Sequence, residues 1–497
     1  MKNNFFLLYA LIITGVFCGN VYAQHPYKDH ETTKLHNFLS QESAEPGVKN
    51  YQQLGLSQIN DVKWSDVPGL SWNNLSSLLE RINWSNKKLA GNLDISGFEA
   101  LRIVSCDFNE LTSLDVTDCT SITNLDCFEN NLNTLDVSTN VNMTRLCFRY
   151  NNLKEVDLSN NRKLTFLCST GNQLSTLDLS GLDKLETLYC VGNQLVDLNI
   201  KDCVRLKEVL CMDNRLTNLD LSDKTYLREF SCARNNISDI KIENCSSLTT
   251  FDCSNNELTT IDFSGCGDLL YIKCIGNLLE RIKIEDCISL EELYCYNNQI
   301  DSLKMPDSRS LKTVHCKNNN MDFYTLPQIS SAKVDYIYYP QNIRYIEANI
   351  SYVDLSAYYE MEGSLSRYVW YDYLTVLRPE SVENGIFRFD ESLENKQLIC
   401  NISNTSLSKL VLRYDVTVKS DEVGNNVNPE KNAHSVYASE GYIHAVAASA
   451  TEVKIFSLKG VLLVAKNVEE GRTDIAVERG IYVVTVNNGK GYMLAVR

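Results

Sequence analysis

Residues 248–264, Leu-Thr-Thr-Phe-Asp-Cys-Ser-Asn-Asn-Glu-Leu-Thr-Thr-Ile-Asp-Phe-Ser, decide the fold, because their spacing of residue types returns up and down the chain. Asparagine stands at 109, 130, 151, 172, 193, 214, 235, 256, 277, 298 and 319, every 21 residues without a break. Two residues after each comes an apolar side chain, from Leu111 and Leu132 to Ile300 and Met321. Five residues before each lies another apolar column, from Val104 and Leu125 to Leu293 and Val314. A fixed period of this length marks one small unit stacked on copies of itself, since a single unit cannot bury its apolar side alone.

Within a unit, the alternation of Leu293 and Cys295 is the period of a short strand, with each following unit adding a parallel neighbour. The chain must turn sharply after that strand. An asparagine amide there can bond backbone groups that the turn would otherwise bury unpaired. The pattern Leu-x-x-Leu-x-Cys-x-x-Asn-x-Leu-x-x-Leu-Asp-Leu-Ser resembles the leucine-rich-repeat family, in its bacterial 21-residue type. The resemblance implies a repeat solenoid of parallel β-strands with short strands on the convex side, over residues 81–326. An Asp column (Asp115, Asp136, Asp157, Asp178, Asp220, Asp262) stands on that side, with Asn199, Lys241, Lys283 and Lys304 replacing it in other units. It lacks the clustered spacing of a calcium loop, so it reads as turn hydrogen bonding. Residues 24–80 read as an N-terminal cap, helical near Glu31 to Leu39, with Trp64 and Trp72 flanking Pro68-Gly69 and Trp84 at the cysteine position of an imperfect first unit.

Of the 18 cysteines, nine occupy one inward column and five a second, at 119, 203, 245, 266 and 287. A parallel ladder offers no preferred partner, so these read as buried free thiols used as small apolar filler. Cys147 and Cys168 sit one place early, on the outward side of adjacent units. They are expected to form a disulfide or to stand as a pair of exposed thiols.

Beyond the repeats, two small all-β domains are expected. Short β-rich runs over 345–419 suggest a sandwich, and Trp370 with Cys400 resembles the central pair of an immunoglobulin-like domain, without its first cysteine. Residues 420–434 are polar with Gly and Pro, a linker. Residues 435–497 resemble the C-terminal sorting domains of type IX secretion substrates in Ile455-Phe456-Ser457-Leu458-Lys459-Gly460 and Gly480-Ile481-Tyr482-Val483-Val484, ending on Arg497. That resemblance implies contact with secretion machinery, although Val436-Tyr437-Ala438 stands where a Tyr-Pro-Asn-Pro opening belongs.

At the other end, Lys2, the uncharged run Phe5 to Cys18 and Val21-Tyr22-Ala23 read as a signal peptide over 1–23. An exported protein at the cell surface or outside the cell is therefore expected, with no later membrane span. The net charge of −16 argues against nucleic acid as a partner. No zinc, phosphate-loop or nucleophile-elbow motif is present, so neither catalysis nor a cofactor is expected. Outward positions of the strands instead bring up aromatic and basic residues: Phe128, Phe166, Tyr189, Tyr271, Lys273, Tyr294, Tyr296 and His315. Exposed rings on adjacent strands are typical binding anchors. The expected partner is an extracellular protein; a glycan stacked on the same rings is the second reading.

Overall fold

The computed structural model describes residues 27–420 except 330, 332 and 362, together with 435–439, 442–447, 451–457, 462–468, 471–477, 480–486 and 491–496. The signal peptide expected at 1–23, nearly all of the linker at 420–434, and Gly460 and Arg497 lie outside these residues. The chain falls into two compact units, Met1–Lys419 and Ser420–Arg497.

In the first unit the repeats build a 14-stranded sheet. From Ile103–Ser105 to Thr313–His315 its three-residue strands run parallel in a register that steps by 21 residues, so that Val104 lies beside Leu125 and Ile272 beside Leu293. Equivalent side chains therefore meet along the stack. The middle residue of each strand and the residue two places on point inward, and Leu125, Cys127, Leu293 and Cys295 are all fully buried. This is the leucine-rich-repeat solenoid that the spacing implies.

Each asparagine ties its turn to the one before. Asn214 Nδ2 donates to the carbonyls of Cys190 at 2.9 Å and Cys211 at 3.1 Å, and its Oδ1 accepts from Leu195 N at 3.0 Å. The same pattern recurs from Asn109 to Asn319. The residue just before the asparagine is left-handed in all eleven units, with φ between 52° and 68°, a feature not read from the spacing. Glycine or asparagine, the types that tolerate this conformation, holds it at 171, 192, 255, 276, 297 and 318.

All described cysteines are free and buried, as the ladder reading expects. Those of the second column do more than fill space. Cys119 Sγ donates to Ile95 O at 2.9 Å and Cys245 Sγ to Leu221 O at 3.1 Å. At two places where the column changes residue the donor survives, Asn140 and Asn161 reaching the equivalent carbonyls, Val116 O and Val137 O, whereas Leu182 offers none.

The convex side is extended, with short two-stranded ladders such as Asn218–Asp220 on Asp239–Lys241. The Asp column makes turn hydrogen bonds: Asp136, Asp178 and Asp220 each accept from the backbone N–H two residues on, at 2.9 Å.

Both ends of the stack are covered. At the start the helix Asp29–Leu39 buries Leu35, Phe38 and Leu39, and Phe38 stacks on Trp84 at 5.7 Å. The strand Leu70–Trp72 pairs antiparallel with Leu79–Asn83 and closes the sheet edge. At Gly69 (φ +82°) a Cβ would run into Asn83 O and Trp84, so glycine is required there. At the far end the stack continues past the expected boundary at 326. The strand Asp335–Ile337 adds in parallel to Thr313–His315, and Gln341 takes the asparagine's place, accepting from Met321 N and donating to Cys316 O, both at 3.2 Å.

Residues 344–419 form a five-stranded and a three-stranded sheet. Trp370 joins them, its ring 5.1 Å from Phe387 and 4.7 Å from Phe389. Tyr324 Oη donates to Ala357 O at 2.9 Å and Tyr358 Oη to Asp322 Oδ2 at 3.0 Å, fastening these sheets to the last repeats. The described residues of the second unit form three- and four-stranded sheets with a core of Ile443, Val453, Ile455, Ile475, Tyr482 and Val484. Among the described residues no helix is long and apolar enough to cross a membrane.

Candidate functional site

The long sheet has one open face, made by the first and third residues of each strand and the residue two places further on. Tyr271–Lys273, Glu292–Tyr294 and Thr313–His315 are consecutive strands, and their register sets Lys273 beside Tyr294 and Tyr294 beside His315. Lys273 Nζ lies 5.8 Å from the centre of the Tyr294 ring. That ring meets His315 edge-on at 5.1 Å, and His315 Nε2 lies 2.9 Å from Asp335 Oδ2. Tyr296 stands in the next column with Lys317 Nζ 5.5 Å from its ring centre. Five of the eight expected residues thus form one patch. Its rings are half-buried, packed on one another and still partly accessible.

Hydrogen bonds hold these rings in place. Tyr294 Oη donates to Glu292 at 2.8 Å, and this bond, with partial burial, raises the phenol's pKa. Tyr271 Oη donates to Glu291 at 3.3 Å. Lys312 holds the same carboxylate at 2.6 Å and keeps its pKa low. A ring fixed in this way loses little freedom when a partner arrives.

Phe128, Phe166 and Tyr189 form a separate group nearer the N-terminal end. Phe166 and Tyr189 pack edge-on at 5.6 Å, with the Arg145 guanidinium 4.0 Å from the Phe166 ring centre. Phe128 meets Phe108 at 5.2 Å and carries Arg149 at 4.4 Å.

Cys147 and Cys168 correct the expectation placed on them. They are in-register neighbours on the outward side, yet they are free thiols and only 3% and 4% exposed. In-register parallel strands hold two side chains pointing the same way at strand spacing, wider than the Cβ separation a disulfide needs. Their short side chains also lie low beside Arg145, Phe166 and Arg149, which denies them exposure. The pair shares a hydrogen bond: the Cys147 S–H donates to Cys168 and lowers the Cys168 pKa to about 7, while the same bond and burial push Cys147 up.

Beside the tyrosine patch the open face sinks into a hollow of ≈ 470 Å³. Leu210 and Met212 wall one side, Tyr271 and Lys273 the other, and Ser231 lies between them. Glu229, Asp252 and Glu292 also line it. The expected site residues include the far wall but neither the floor nor the carboxylates. The signal available was the run of small outward residues Ser231, Ala233 and Ser254, all under 10% exposed, where neighbouring units carry Leu, Met, Lys and Ile.

No protein-family model and no curated protein sequence matches this chain. Among solved structures, the functional domain of InlJ from Listeria monocytogenes, described as including a cysteine ladder, is 20% identical over 68% of this chain and 90% of its own, with a TM-score of 0.39. YopM from Yersinia pestis, described as a leucine-rich effector protein, is 21% identical over 63% of this chain and 99% of its own, at 0.38. The LRIM1/APL1C complex is similar at 17% identity over 59% and 61%, at 0.36. The fold assignment rests on this chain's own register, which makes it a leucine-rich-repeat solenoid with small all-β parts after it.

Proposed function

We propose that this chain is an exported, non-catalytic recognition or adhesion protein that binds a macromolecular partner through the open face of its repeats. The observation carrying this reading is the patch of Tyr271, Lys273, Tyr294, Tyr296 and His315 on three successive strands of a regular sheet. Tyrosines with a fixed ring and a polar tip are effective anchors for a protein surface. The signal peptide read at 1–23 and the sorting-domain resemblance of 435–497 support a location at the cell surface or outside the cell, with secretion machinery as a second contact. The sheet order of 344–419, with Trp370 opposite Cys400 on neighbouring strands, supports the immunoglobulin-like reading.

The test is capture of surface proteins from neighbouring cells by the full chain and by a variant carrying Tyr294→Ala and Tyr296→Ala. Capture by the native chain and its loss in the variant, at an unchanged urea midpoint, is the expected result. Equal capture would move the site off this patch. Binding confined to a glycan array, and abolished by the same substitutions, would replace the protein partner with a sugar.

A further inference from the structure

We infer that the hollow between Leu210 and Lys273 receives a lysine or arginine side chain from the polypeptide that binds the open face. The inference rests on the reading of that face as the partner site and names the chemistry of its deepest contact. The floor is Ser231, which is 9% exposed and points outward from its strand into the hollow. Its hydroxyl makes no hydrogen bond to any described residue, whereas the neighbouring Ser254 Oγ accepts from Ile275 N at 3.3 Å. A hydroxyl enclosed by its neighbours and open only to the hollow offers a ligand a hydrogen bond that no described residue takes.

Charge fixes the kind of ligand. Glu229, Asp252 and Glu292 line the hollow against one cation, Lys273, which leans over the Tyr294 ring. Among the described residues neither Glu229 nor Asp252 has an ion-pair partner, and Asp252 accepts only from Ser254 N at 2.9 Å. An anion or a purely apolar side chain would bury these carboxylates without compensation. No group of three or more potential ligands that could hold a metal ion occurs among the described residues. The carboxylates suit a cation that arrives on a stem, and Leu210 and Met212 offer the apolar wall along which the methylenes of Lys or Arg can lie.

A random peptide library selected on the full chain tests this. Recovered peptides are expected to share one Lys or Arg, and replacing it with neutral citrulline or norleucine should weaken binding about tenfold or more. Ser231→Leu, which fills the floor without altering charge, should abolish binding of the same peptides. Glu229→Gln with Asp252→Asn, both at surface-facing positions, should weaken it without touching the floor. Peptides that lack a cation, tolerate its neutral replacement, or bind the Ser231→Leu chain as well as the native one would overturn the inference, as would a library yielding no binder. The Tyr294→Ala, Tyr296→Ala chain separates the two readings. Peptides that need the tyrosines but no cation sink only the hollow, and peptides indifferent to both sets of substitutions sink the open face as well.

Discussion

Asn214 shows how much one side chain does in a stack of this kind. Its amide closes backbone groups of Leu195, Cys190 and Cys211, all buried by the packing of successive turns. Asn214→Ala leaves the buried Leu195 N–H without its acceptor, while Cys190 O keeps Asn193 Nδ2 and Cys211 O keeps Asn235 Nδ2, so a loss of about 2 kcal/mol is expected in urea unfolding. A loss within the range of surface substitutions would show that the column is not structural. At the same scale, Cys168 is the thiol to watch. Its lowered pKa makes thiolate accumulate as pH rises through about 7, while burial holds the ladder thiols protonated there and pushes Cys211 and Cys316 up to about 12. Alkylation followed by mass spectrometry should mark Cys168 ahead of the ladder thiols, and increasingly so as pH rises. Cys147→Ala removes the donor and should slow this labelling; unchanged labelling would exclude the shared hydrogen bond.

At the scale of the repeat, each unit is a strand, an asparagine turn and an extended return, which an Asp turn closes in several units. Hydrogen bonds from Ser138, Ser180 and Ser222 lower the pKa of Asp136, Asp178 and Asp220 below the ordinary 3.8. A folded-state value under the unfolded one means that the unfolded chain binds more protons in acid. These turns therefore contribute their full stabilisation above that pH and lose it as pH falls below. The urea midpoint should be level above about pH 4 and drop beneath it; a midpoint that rises on acidification would contradict the turn assignment. The unit was legible in the sequence because one burial demand recurs at each step, putting Leu, Cys and Asn at fixed places. The left-handed residue before each asparagine was not read, since Phe108, Glu129, Tyr150, Asp213 and Arg234 stand among its Gly and Asn residues. The last strand, Asp335–Ile337, escaped because its register steps by 22 residues and Gln341 replaces the asparagine. Tyr271, Tyr294 and Tyr296 could be named from strand alternation, but the hollow beside them could not. A void is made by side chains that are small, and periodicity tracks those that are large.

At the scale of the first unit, covered ends leave the long sheet with one broad free face. The N-terminal helix and the antiparallel strand Leu70–Trp72 close the first edge, and the sheets of 344–419 fasten to the last repeats through Tyr324 and Tyr358. Stability is spent along the stack and at its ends, which leaves the outward columns free to vary for recognition. Phe, Arg and Cys stand near the start of that face, Ser and Ala in the middle, Tyr and Lys towards the end. Hydroxyl-radical footprinting of the full chain, alone and with its captured partner, addresses the open face most directly, because methionine and tyrosine side chains report it. Protection of Met212, Tyr271, Tyr294 and Tyr296 on binding is expected, with exposed residues off that face such as Tyr226, in the turn before Glu229–Ser231, unchanged. Protection confined to the convex side or to residues 344–419, with those four side chains as reactive as before, would contradict the assignment of the partner to this face.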